Sequence, residues 1–214
     1  MSFPRADAEM DLTKTPQGRG AFTLIELLVV ITVIAILIAL LFPAFNGVQD
    51  QAKRTQAKND LTQIVTAVNA FYTEYGKYPL AAGITTDPTF GPGGTFPTNQ
   101  TLFNPLRGLD LTLNPRQVVF ISPPDVKDKA NPRSGIGTDA ANIGQYFDPW
   151  GKNYVIRIDA DYNNQVVNPY TQNAGATPLQ LGVIAWSLGK DGLGGQGSAD
   201  KNAGTADDDV ISWQ

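Results

Sequence analysis

The run Phe22-Thr23-Leu24-Ile25-Glu26-Leu27-Leu28-Val29-Val30-Ile31, apolar onward to Phe42, limits what this chain can fold into more than any other stretch. As a helix it measures about 31 Å, which matches a hydrocarbon core of about 30 Å. A helix apolar on every side needs lipid or other helices around it. The plain reading is a single-span anchor. Lys14 and Arg19 before the run, and Lys53 and Arg54 after it, give little bias in orientation.

Two features go beyond an anchor. Residues 1–21 mix charges of both signs and hold no apolar core. A secretory signal places its small-residue cleavage site after its apolar stretch. Here the small residues Gly20-Ala21 come before it, so cleavage would leave the apolar helix on the mature chain. The second feature is Glu26. Acids inside spanning helices are functional candidates with a partner to be named. Two readings of Glu26 stay open. It is an interfacial acid favoured by the helix macrodipole, or it pairs with an amine freed at Phe22, in its own chain or on a neighbouring copy.

Composition excludes several activities. Sixteen Lys and Arg stand against twenty Asp and Glu, a net charge of -4, so no basic field attracts nucleic acid. The chain has no cysteine and no histidine. Disulfides, zinc-thiolate sites, cysteine nucleophiles, Ser/His/Asp triads and histidine bases are therefore excluded. No paired-carboxylate motif takes their place. The expectation is a protein that is not an enzyme and has no catalytic residue.

Pro43 ends or kinks the apolar run, because it lacks an N–H and clashes with the preceding turn. Asn46-Gly47 weakens the helix again. Gln49 to Asp60 is polar almost all round, as in an exposed or inter-subunit segment. Then Leu61, Ile64, Val65, Val68, Phe71, Tyr72 and Tyr75 recur at spacings of three and four, the pattern of a helix packed on a head. Gly76 is placed as its C-cap. The spacing predicts one helix from about Phe22 to Tyr75, with its aromatic residues as core.

Residues 76–150 are rich in Pro and Gly, with Val118–Ile121 a candidate strand and no assignable function. Asp148-Pro149-Trp150-Gly151 reads as a turn into a strand over Tyr154–Ile158. Gln165–Val167 and Val183–Leu188 are further strands of a small antiparallel sheet that covers the helix. Ser187-Leu188-Gly189-Lys190-Asp191-Gly192 then opens a Gly-rich loop that continues through Asp200 to Asp207-Asp208-Asp209. Hard cations such as Ca²⁺ take six to eight oxygens from carboxylates and carbonyls on flexible turns. An EF-hand is excluded, because the twelfth position from Asp191 is Asn202 and not Glu. A solvated acidic loop is the plain alternative.

The stretch from Gly20 to Val30 resembles the cleavage and methylation signal of type IV pilins and type II secretion pseudopilins. The resemblance implies an α+β, pilin-like fold, with a long N-terminal α-helix as spine packed by a small C-terminal antiparallel β-sheet. It implies a prepilin leader over 1–21 and a transmembrane or filament-core helix over 22–42. The spine continues over 43–75, a variable loop-rich region follows over 76–150, and sheet plus acidic metal loop fill 151–214. By the same resemblance a prepilin peptidase cuts between Ala21 and Phe22, Phe22 is methylated, Glu26 supports assembly, and Pro43 marks where the helix loosens. The family's usual residue before the cut is Gly, and this chain has Ala21. A cut after Gly20 would leave Glu26 one place too far from the new terminus.

Asp-Pro-Trp-Gly followed by Ser-Leu-Gly is similar to the major pseudopilin of type II secretion, which carries structural calcium in a similar loop. Carried over, Leu188 supplies a carbonyl and Asp191 a carboxylate. Further carboxylates come from Asp207, Asp208 and Asp209, with Asp200 as an alternative. The implied function is a structural subunit of a type II secretion pseudopilus that drives protein export across the outer membrane. Its implied partners are copies of itself, the prepilin peptidase, the inner-membrane secretion platform and minor pseudopilins. It would cross the inner membrane once, head in the periplasm, before joining a periplasmic filament. The alternatives are a type IV pilin or minor pseudopilin and, in another class, a membrane-anchored extracytoplasmic binding domain or enzyme.

Overall fold

Helix α1 runs from Leu24 to Tyr75. It belongs to a computed structural model that describes residues 23–193 and 200–214, with backbone alone for 41–44 and 46. The leader, and the expected cut and methylation site at Ala21 and Phe22, lie outside the described residues, as does the side chain of Pro43. The backbone stays helical through Pro43 and Gly47, so neither residue ends the helix. Gly76 does end it. Its φ is +66°, a left-handed conformation that glycine adopts without steric cost, and its N–H reaches the Tyr72 carbonyl at 2.8 Å.

The chain divides into two units, one ending at Asn46 and one from Gly47 to Gln214. In the first unit, thirteen large apolar side chains between Leu24 and Leu40 are each 48–81% exposed. Among the described residues no helix is long and apolar enough to cross a membrane. The expected span Phe22–Phe42 reaches past them, at Phe22 and at the side chains of Leu41 and Phe42.

In the second unit, α1 buries one stripe. Ala57, Leu61, Ile64, Ala67, Val68 and Phe71 are almost fully enclosed, with Val65 and Tyr75 packed beside them. Tyr72 departs from the expected core. It stays 40% exposed at the rim, its ring 4.8 Å from that of Tyr78.

The covering sheet has four strands: β1 (Thr89–Phe90), β4 (Val155–Ile158), β5 (Val183–Ser187) and β6 (Val210–Ile211). They lie in the order β1-β4-β5-β6, antiparallel throughout. Two more strands, β2 (Gly135–Ile136) and β3 (Tyr146–Phe147), pair separately. Side chains alternate between the faces of a strand. Accordingly Ile156, Ile158, Val183 and Ala185 join the cluster on α1. Val155, Ile184 and Trp186 instead join a second cluster with Tyr170, Leu179, Ala206 and Ile211. Both faces of β5 are covered, which is why it reads in sequence as an apolar run up to Ser187.

Two expected strands are absent among the described residues. The N–H groups of Phe120 and Ile121 both turn to the Leu106 carbonyl instead of pairing in a ladder. The Phe120 ring then fills the space beside Phe71, at 5.2 Å. Val166 makes only an isolated bridge to Leu179. The loop-rich region also holds helix α2 (Gln100–Leu106). Asn99 precedes α2 but does not cap it. Its buried amide donates to the carbonyls of Tyr146 at 3.0 Å and Tyr154 at 2.9 Å, and its oxygen accepts the Tyr146 N–H at 2.9 Å. Asn99 thereby ties α2 to β3 and to the residue that leads into β4.

Candidate assembly and cation sites

The first candidate lies at the start of α1. Thr23 precedes the helix, and its N–H and hydroxyl both reach Glu26 Oε2, at 2.8 and 2.9 Å. The Glu26 N–H returns a bond to Thr23 Oγ1 at 3.3 Å. This is a capping box, in which a Thr and the Glu three residues on satisfy each other's free donors. The Thr-x-x-Glu spacing announces it in the sequence, a role beyond the ion-pairing and dipole readings of Glu26. Its second oxygen, Oε1, takes no part in these bonds.

The second candidate is the C-terminal acidic loop. Asp208 Oδ2 accepts the N–H of Lys190, and of Asp191 at 3.0 Å, so the two arms of the loop meet there. A Cβ added at Gly189 would come within 2.6 Å of Asp208, so only glycine fits beneath that carboxylate. Asp191 Oδ1 accepts the Leu193 N–H at 2.8 Å, and the Leu188 carbonyl accepts the Gly192 N–H at 3.1 Å. The alternative ligand Asp200 faces another way, toward Asn173 Nδ2 at 2.7 Å and the Asn202 N–H at 2.9 Å.

Asp209 is the unusual member. It is 3% exposed, and its Oδ2 accepts the Tyr170 hydroxyl at 2.5 Å. Its Oδ1 has no hydrogen-bond partner among the described residues. Burial pushes its carboxyl up to about 7. An unmet buried oxygen costs free energy, and a cation is one group that would meet it. Leu188, Asp191, Asp208 and Asp209 offer oxygens of the kind a hard divalent ion takes, but among the described residues no three of these carboxylates come within 4.8 Å of one another.

The loop is strapped to α1. Asp50, Arg54 and Lys58 are spaced four apart and so share one helix face. Asp50 pairs with Lys190 at 3.5 Å, and Arg54 donates to the Asp207 carbonyl at 3.4 Å. Lys58 Nζ donates to the carbonyl of Ile211 at 2.7 Å and to that of Gln214. Part of the helix stretch expected to be exposed thus holds the chain's own C-terminal segment.

Among the described residues, one carboxylate trio comes together, and it lies elsewhere. Asp87, Asp159 and Asp161 have oxygens within 4.8 Å of one another. Backbone N–H groups already occupy them: Ala160 bonds Asp87, Asn163 bonds Asp161, and Asn163 and Asn164 bond Asp159. The trio shapes a turn.

A long helix with a bare apolar half, and an antiparallel sheet on its other half, define a pilin-like α+β protein. Residues 17–42 match the prokaryotic N-terminal methylation motif. The chain is 41% identical over 63 residues to the type IV major pilin protein PilA of Myxococcus xanthus, over 29% of this chain and 28% of that protein. It is 39% identical over 61 residues to the type II secretion system core protein G of Pseudomonas aeruginosa, over 28% and 43% of the two. The corresponding protein of Klebsiella michiganensis is 32% identical over 63 residues, over 29% and 44%. The chain spans less than half the length of each of these curated relatives. No solved structure matches it. Over less than a third of its length, the chain is thus similar to type IV pilins and type II secretion pseudopilins.

Proposed function

We propose that the chain is a structural subunit of a type II secretion pseudopilus. A prepilin peptidase cuts between Ala21 and Phe22, Phe22 is methylated, and the subunit leaves the inner membrane to stack into a helical homopolymer in the periplasm. The filament, with minor pseudopilins and the inner-membrane platform, moves proteins across the outer membrane. The chain performs no chemistry itself.

The observation that carries this reading is the bare helix. Its large apolar side chains between Leu24 and Leu40 are each 48–81% exposed. Exposed apolar surface on this scale marks a surface that something else covers. Lipid covers it before assembly and other α1 helices cover it afterwards. Glu26 pairs across copies with the amine at Phe22. Pro43 is the point where the helix loosens on assembly. Calcium in the C-terminal loop is the structural ion, held by the Leu188 carbonyl, Asp191 and the carboxylates of Asp207–Asp209. It would meet the orphan Asp209 oxygen and draw the two arms together.

A second reading, a type IV pilin, is favoured by the 41% identity to PilA over 63 residues. The cysteine-free acidic loop favours secretion, since a metal staple there does the work of a disulfide. Removing the gene from its source distinguishes them. Lost export of a secreted protein with surface pili retained supports the pseudopilus. Lost pili with export retained supports the pilin.

A further inference from the structure

Asp148 and Ser187 meet beneath the root of the acidic loop. Both are fully buried. The Ser187 hydroxyl donates to Asp148 Oδ2 at 2.5 Å, and its oxygen accepts the Gly189 N–H at 3.2 Å. Asp148 Oδ1 accepts the N–H groups of Trp150 and Lys152, each at 2.9 Å. The carboxylate is thus locked into the Asp-Pro-Trp-Gly turn and leaves one oxygen for Ser187.

Ser187 stands where both loop arms begin. It is the last residue of β5, and the chain passes from it directly into Leu188–Asp191. Its register partner on β6 is Val210, the neighbour of Asp209. One hydroxyl therefore sets the start of one arm, beside the end of the other. A buried carboxylate and hydroxyl cost desolvation that an apolar pair of similar volume would avoid. A turn alone does not require that pair.

The geometry points to Asp148 and Ser187 as positioning residues for the divalent cation of the loop. They touch no cation. They hold Gly189, and with it the Leu188 carbonyl and the Asp191 backbone, against the Asp207–Asp209 arm before the ion arrives. Support of this kind behind the ligands commonly sets metal affinity by tenfold or more. The inference rests on the calcium reading above.

The test uses the full chain in detergent, with calcium titrated calorimetrically and melting followed in calcium and in EGTA. Ser187→Ala is expected to bind calcium at least tenfold more weakly and to lose most of the calcium-dependent rise in Tm. Asn99→Ala, which breaks buried hydrogen bonds away from the loop, is expected to lower Tm equally in both conditions and to keep wild-type affinity. A purely structural role would make the two variants behave alike. Wild-type calcium affinity in Ser187→Ala overturns the inference while leaving the calcium reading intact. Absence of calcium binding by the wild-type chain overturns both. If Ser187→Ala does not fold, Asp148→Asn takes its place, with the same tenfold loss expected and wild-type affinity as the contrary result.

Discussion

A Glu26→Gln subunit is expected to enter the membrane and be processed at wild-type level, yet to yield less than a tenth of the wild-type filament. Gln is as good as Glu at the third position of a capping box, so the Thr23 contacts survive the change. The charge does not survive, and in the proposed filament the charge is what pairs with the amine of a neighbouring copy. Glu26→Ala removes both cap and charge and would leave the two roles confounded. Sheared filaments, measured by immunoblot and electron microscopy, give the result. A wild-type yield from Glu26→Gln would reduce Glu26 to a helix cap.

Calcium is expected to raise the melting temperature of the full chain in detergent by about 5–10 °C over its value in EGTA. The figure follows from about 2.7 kcal/mol of linkage at free calcium a hundredfold above Kd, for a domain of this size. The source of the stabilisation is specific. Asp209 Oδ1 is buried without a partner among the described residues, and Asp208 already draws the backbone of the opposite arm inward. Asp209→Asn should abolish the difference between calcium and EGTA. Equal melting of the wild-type chain in both would remove the ion from the account.

Helix α1 was legible because its signal is long. An apolar run followed by a three-and-four spacing constrains fifty residues at once, and Gly76 closes it. β5 was legible as a continuous apolar run. Strands β1, β2, β3 and β6 have two residues each, too few for any periodicity to register. Val118–Ile121 has strand composition but spends its N–H groups on the Leu106 carbonyl, a partner that only the tertiary fold supplies. The same holds for the sites. The methylation motif and Glu26 are local patterns, and so is the Thr-x-x-Glu box. The strap of Asp50, Arg54 and Lys58 looks like an ordinary polar helix face, because its partners lie 140 or more residues further on. The link between Asp148 and Ser187 spans 39 residues and two motifs that the sequence presents separately.

The central claim is that this chain is a processed filament subunit whose exposed apolar helix begins at a freed, methylated terminus. Mass spectrometry of the protein purified from membranes of a host with a prepilin peptidase tests it most directly. The account predicts a mature chain that starts at Phe22 and carries one added methyl group on its amine. A chain that starts at Met1 or at Ala21 would contradict it.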